Sequence, residues 1–249
     1  MLRYSINIIC FILGSILSHG QSTNDSIQQE SYGLRVGIDL SRPILSALDD
    51  NYSGFEFVGD YRLTQKLYLA AEVGNEKKSQ IEDLDGIDLY DYTTNGSYIK
   101  IGVDNNTYTN WKGEQNLITI GGRYAFSTFS QTLNSYRFYE SNRTFNPDTF
   151  LLVDDTPQEF GNRTASWLEL VIGAKAKLFN NVYGGISIRL GYLITDSADG
   201  DFPNLWIPGF NKVTDGSNFG IGYNYSISYF LPFYKKAKEI KPKLKETVN

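Results

Sequence analysis

The chain has 249 residues, enough for one well-filled domain and short for two. Tyr (18), Phe (15) and Gly (23) are abundant, and 23 Lys and Arg against 28 Asp and Glu leave a formal net charge of -5. This balance gives no basic footprint for nucleic acid, and no stretch reaches the roughly 18 consecutive apolar residues of a membrane-spanning helix.

Residues 1–20 read as a secretory signal peptide. Arg3 is their only charge, Ile8 to Leu17 form a mostly apolar run, and Ser18-His19-Gly20 sets small residues at the first and third positions before Gln21. Met1, Cys10 and His19 are the only residues of their kinds and all fall in this segment. The mature chain is therefore expected to lack Cys, His and Met, which excludes disulfides. Cys10 lies within the apolar run and not after it, which argues against lipidation there. Residues 21–31 read as a linker.

From Tyr32 onward, odd and even positions separate by chemistry, as a two-residue period demands. In the first strand Tyr32, Leu34, Val36, Ile38 and Leu40 oppose Gly33, Arg35, Gly37, Asp39 and Ser41. The second sets Phe55, Phe57, Gly59, Tyr61 and Leu63 against Glu56, Val58, Asp60 and Arg62. The third sets Leu67, Leu69, Ala71 and Val73 against Tyr68, Ala70, Glu72 and Gly74, and the fourth Ile99, Ile101 and Val103 against Tyr98, Lys100, Gly102 and Asp104. The fifth runs over residues 118–126 with Arg123 on its polar side, and the sixth over 167–178 with Glu169, Lys175 and Lys177. The seventh covers 182–191 with Arg189, and the eighth 219–233, where Tyr223, Tyr225, Ile227, Tyr229 and Phe233 share one side.

All thirteen charges of these strands lie on the polar face: Arg35, Asp39, Glu56, Asp60, Arg62, Glu72, Lys100, Asp104, Arg123, Glu169, Lys175, Lys177 and Arg189. That face is also rich in Gly, Ala and Ser, which suit a narrow lumen, whereas the bulky apolar face would overfill one. A soluble barrel of the lipocalin kind shows the same alternation with the opposite polarity, and side-chain size argues against it. Long and short connections alternate, with Thr64-Gln65-Lys66 and Asn180-Asn181 as tight turns. The expectation is an eight-stranded antiparallel up-and-down transmembrane β-barrel over residues 32–234, all-β, with a basic periplasmic tail over 235–249.

Seven positive against six negative lumen charges predict an ion-paired plug; a narrow gated channel is the alternative. Without His or Cys in the mature chain, the usual acyl-transfer and hydrolytic chemistry has no base, so a non-enzymatic role is expected. A carboxylate-based enzyme using Glu56, Asp60 and Glu72 is the remaining catalytic reading. The acidic loop Asn75 to Thr94, with Glu82, Asp83, Asp85, Asp88 and Asp91, lacks the spacing of an EF-hand; no metal and no cofactor are expected. Tyr136, Phe138 and Tyr139 in the longest loop, and Phe202, Trp206 and Phe210 in the last, form a candidate partner surface unless they pack together to cap the lumen.

Tyr32 to Leu40, Gly59-Asp60-Tyr61-Arg62-Leu63-Thr64, Ser130 to Tyr136 and Ile207-Pro208-Gly209-Phe210-Asn211 resemble an uncharacterised family of Bacteroidota outer-membrane barrels, across essentially the whole mature chain. The architecture is more generally similar to small OmpA/OmpX-type barrels, and the last strand resembles their assembly signal through Gly222, Tyr225 and Ile227, with Gly220 where a polar residue is usual. The resemblance implies export to the bacterial outer membrane. The expected partners are outer-membrane lipid and another outer-membrane protein or lipoprotein, with the chain as scaffold or accessory subunit.

Overall fold

The computed structural model describes residues 29–84, 87–108, 115–138, 152–197, 202–213 and 217–237. All eight expected strands form, most of them longer than the apolar alternation alone indicates. They are β1 (Gln29–Asp39), β2 (Tyr52–Arg62), β3 (Leu67–Leu84), β4 (Ile87–Asn106), β5 (Leu117–Phe138), β7 (Gln158–Phe179), β8 (Val182–Ser197) and β11 (Phe219–Ala237). A three-residue strand β6 (Leu152–Asp154) pairs with the end of β5, and β9 (Trp206–Ile207) with β10 (Asn211–Lys212) makes a separate small hairpin.

The eight long strands pair antiparallel with their chain neighbours, β4 also pairs β5, and β11 pairs β1, so the sheet rings round on itself. A row of paired residues followed through Leu34, Tyr61, Leu69, Val103, Gly122, Leu170 and Leu190 reaches β11 at Ile221. Taken directly from Leu34 to β11, the partner is Leu231, ten residues further on. A stagger of this kind requires strands tilted by roughly 35–45° to the ring axis.

The polarity is the one read from side-chain size. Val36, Phe57, Leu69, Ile101, Tyr124, Leu170, Ile188 and Tyr225, one from each long strand, are exposed, while eleven of the thirteen strand charges are buried. The outward apolar stretch ends sharply: Ile99, Ile101 and Val103 are bracketed by Ser97 and Asn105, and Asn75, Ser97 and Thr128 form a polar row in register across β3, β4 and β5.

Several expectations change. The acidic stretch 75–94 is not a loop: β3 and β4 stay paired to Leu84–Ile87, with Glu82 on Lys212 (2.9 Å) and Asp91 accepting from Asn134 (3.1 Å). Asp85 lies outside the described residues. A helix, α1 (Ser41–Leu48), follows β1 where a plain loop was expected. Tyr32 faces inward with Gly33, because Tyr32 pairs Tyr234 while Gly33 pairs Pro232; the extra Phe233 makes a bulge beside a proline that cannot donate to the ladder. The interior also holds large rings, Tyr68, Tyr98, Trp167, Tyr183 and Phe230, among the small residues. The expected signal peptide, most of the linker and residues 238–249 of the tail lie outside the described residues.

Candidate functional site

The inward positions of the eight strands converge on one filled axis. At the end carrying the short turns, Arg62 pairs with Glu30, donates to the carbonyls of Ser31 (3.2 Å), Thr64 (3.1 Å) and Gln65 (3.3 Å), and lies over the Tyr32 ring (4.5 Å). Above it Arg35 sits between the rings of Tyr183 (4.7 Å), Phe230 (5.8 Å) and Tyr68 (5.9 Å), and faces Asp60 at 3.5 Å. Lys175 reaches the other oxygen of Asp60. Guanidinium on aromatic faces desolvates the cation while keeping it compensated.

The middle layer is an ion-pair chain. Arg123 grips Asp104 with both terminal nitrogens at 2.8 Å and donates from Nε to Glu72 at 3.3 Å. Arg189 bridges Glu72 and Glu169 (3.1 Å to Glu169), which in turn accepts from Lys100 Nζ at 2.9 Å and Trp167 Nε1 at 2.7 Å. Such a network holds buried charge only because almost every lone pair finds a donor.

Next comes a carboxylate layer. Tyr98 Oη donates to Glu56 (2.7 Å) and Glu76 (3.3 Å), Asn224 Nδ2 donates to Asp39 and to Glu56 (3.1 Å), and Arg42 from α1 enters to meet Glu76 at 2.9 Å. At the start of α1, Asp39 accepts from Ser41 N (2.9 Å) and Ser41 Oγ (2.6 Å). At the far end of α1, Lys78 Nζ lies 2.6 Å from Asp49, and this contact, with the Asn51 backbone N–H, holds the Asp49 carboxyl below its ordinary value.

The opposite end is stopped by the β9–β10 hairpin. Its tip, Pro208-Gly209-Phe210, turns on Gly209 at φ 83°, a conformation that suits glycine, and the tip backbone is clamped: Gly209 N donates to Glu76 (3.1 Å) and Gly209 O accepts from Lys100 (3.1 Å). The Phe210 ring stands edge-on to Trp167 at 5.6 Å, and a Cβ on Gly191 or Gly220 would come within 2.9 or 3.0 Å of it. Ile207 packs with Ala125, Phe129, Ala165 and Leu193. Gln131 fastens the strand leading in, donating to Pro203 O (2.9 Å) and accepting from Leu205 N (3.0 Å). Among the described residues, voids of about 40 and 10 Å³ lie between these groups, room for a few waters.

The expected lumen residues thus meet, with two differences. Lys175 is only half-buried, and Lys177, at the end of β7, is exposed and makes no ion pair among the described residues. The alternation was right about its face, but at the last turn of the wall that face opens to solvent. The expected partner surface also divides. Phe210 is a buried wedge and not a surface residue. Phe202 is half-buried between Phe160 (5.7 Å) and Tyr90 (5.6 Å), and Tyr136 and Trp206 are half-buried nearby in the chain's loop-end segments. Tyr139 and the Phe138 side chain lie outside the described residues.

Sequence reasoning missed Arg42, Glu76, Gln131, Arg163 and Asn204, and put Asn224 on the polar side of the last strand without a role. Glu76, Gln131 and Arg163 continue the inward alternation of their strands past the apolar stretch and were legible from it; Arg42 sits on the helix α1 and Asn204 on an irregular segment, and neither carried such a signal. Among the described residues no cluster of three or more His, Cys, Asp or Glu side chains is placed to hold a metal.

The family described as a domain of unknown function (DUF6048) matches residues 1–236. No curated protein and no solved structure matches the chain.

Proposed function

The chain belongs to the DUF6048 family, and from that premise we propose that it is a bacterial outer-membrane β-barrel, closed to solutes, that acts as a non-enzymatic scaffold or accessory subunit through its loop end. The observation that carries this reading is the polarity of the ring: apolar side chains exposed on every long strand around an interior of paired charges. In water such an exterior would be an aggregation surface, whereas hydrocarbon demands it and also demands a sheet without free edges. The apolar stretches of β3, β4 and β5 lie side by side on the outer face, and their polar rows fit the level where the wall leaves the bilayer.

Closure supports a non-conducting role. Among the described residues, voids of about 40 and 10 Å³ and a clamped hairpin across one end leave little room for water along the axis. Among the described residues, the wall beyond the apolar band is open to a partner. There Lys77, Asn95 and Ser130, then Ser79, Thr93 and Thr132, face outward in register, and the aromatic group Tyr90, Phe160 and Phe202 lies beside them.

Membrane extraction tests the location: the native protein is expected in the outer-membrane fraction, strand-rich by circular dichroism, with heat-modifiable gel migration. A soluble periplasmic monomer would overturn the barrel. Steady single-channel steps in planar bilayers, altered by Lys100 or Arg123 substitution, would replace the scaffold with the channel. Purification of tagged protein in mild detergent is expected to bring down a membrane partner that is lost when Phe202 and Trp206 are changed to Ser.

A further inference from the structure

The helix α1 is amphipathic with its polarity reversed. At 100° per residue Arg42, Ser46 and Asp49 share one face, and Pro43, Ile44, Ala47 and Leu48 the opposite one. In a water-soluble domain the apolar face would turn inward. Here the polar face is the packed one: Arg42 enters the ring to Glu76, Ser46 Oγ accepts from Gly54 N (2.9 Å), and Asp49 meets Lys78. The apolar face is outermost, with Ile44 51 % and Leu48 80 % exposed.

Its place in the wall says what covers it. β1 ends at Asp39, paired with Ser226, yet β11 runs on toward the loop end and keeps Tyr225, Tyr223, Ile221 and Phe219 exposed on its outer side. Leu40 N still donates to Tyr225 O, and α1 then packs on β2 and touches β11, occupying the gap that a longer β1 would have filled. The apolar face of α1 is therefore continuous with Ile38 on β1, Phe55 and Phe57 on β2, and the outer residues of β11.

We infer that α1 is a wall element of the barrel and lays its Pro43, Ile44, Ala47 and Leu48 face against the acyl chains of the outer leaflet. This rests on the membrane reading above. The lipid interface is made of helix at this one place, and the inward polar face, Arg42 above all, is what holds the helix to the ring.

Single cysteines placed at Ile44, Leu48, Ile101 and Asp50 in a Cys10→Ser background, each carrying an environment-sensitive fluorophore, test this in protein refolded into phosphatidylcholine vesicles. Heat-modifiable migration checks folding of each variant. Nitroxide-labelled acyl chains are expected to quench positions 44 and 48 with a loss of emission comparable to that at 101, and iodide in the water to quench position 50 alone. Iodide quenching at 44 and 48, with 101 still quenched by lipid, would overturn the inference and leave the barrel standing. Absence of lipid quenching at 101 would remove the membrane reading and the inference with it. Protection of 44 and 48 from both quenchers, growing with protein-to-lipid ratio, would assign the face to a second copy and also overturn it.

Discussion

Lys100 on β4 and Glu169 on β7 face each other across the ring at 2.9 Å, and the same lysine donates to Gly209 O at the tip of the hairpin that closes the loop end. One ammonium thus ties the wall network to its stopper. Both side chains are almost fully buried, so removing one leaves the other short of a partner in a place water reaches poorly.

Lys100→Met is therefore expected to destabilise the folded state by about 3–5 kcal/mol, the usual range for breaking a buried pair. The check is denaturant unfolding in detergent micelles. The double variant with Glu169→Gln should recover part of the loss, because the carboxylate, left with Arg189 as its cationic partner, is then neutral. An unchanged midpoint in the single variant would count against a closed, dry interior.

The stopper depends on fit as well as charge. Phe210→Ala removes a ring held between Trp167 and the glycines 191 and 220, and is expected to cost about 3–5 kcal/mol. Gly209→Ala keeps the ring but places a Cβ at a positive φ and within 2.6 Å of the Tyr98 ring. Limited proteolysis should then cut between residues 202 and 213 faster than in the parent protein. Equal cutting rates would mean that the tip is not seated as described.

The outer wall gives a positional test. Ile101→Lys puts a charge in the middle of the apolar stretch of β4, with an expected cost of about 2–4 kcal/mol in lipid. Asn95→Lys, past the polar row on the same face of the same strand, is expected to stay within about 0.5 kcal/mol. Reversible unfolding in vesicles measures both. Equal small effects would sink the idea that the band is a lipid contact.

The carboxylate at the end of α1 gives a pH test. The Asp49 carboxyl is held below its ordinary value by Lys78 and by the Asn51 N–H, so its contribution is full above the unfolded value of about 3.9 and is lost as pH falls through the depressed folded value. NMR titration of Asp49 should report a value below the usual one, and Lys78→Gln should move it back up.

Much of this architecture was legible because strand alternation is a strong signal wherever one face must be apolar. Leu69, Ile101 and Leu170 announced their face, and Glu72, Lys100 and Glu169 the other. The signal fades where both faces are polar or mixed, which is why the paired stretch 75–94 reads as an acidic loop, although Glu76 keeps the phase of Glu72. It also misleads at a bulge: one extra residue at Phe233 turns Tyr32 inward, and no local pattern around Tyr32 reveals it. α1 was hidden for a different reason, since its apolar residues follow the outside of the fold. Phe210 could be read as surface or as a cap of the lumen because a wedge and an exposed aromatic have the same sequence; Trp167, Gly191 and Gly220, on distant strands, make its seat.

The closing of the ring between its first and last strands has a consequence for biogenesis. Asp39 meets Ser226 and Tyr32 stacks on Tyr234 at 5.4 Å, so the earliest wall strand waits for the latest one. Until β11 is in place, β1 and β8 each carry an open edge, and the buried arginines and carboxylates have a gap beside them. The ring is therefore complete only once the C-terminal strand is in place, and until then both edges and the charges between them lack one wall.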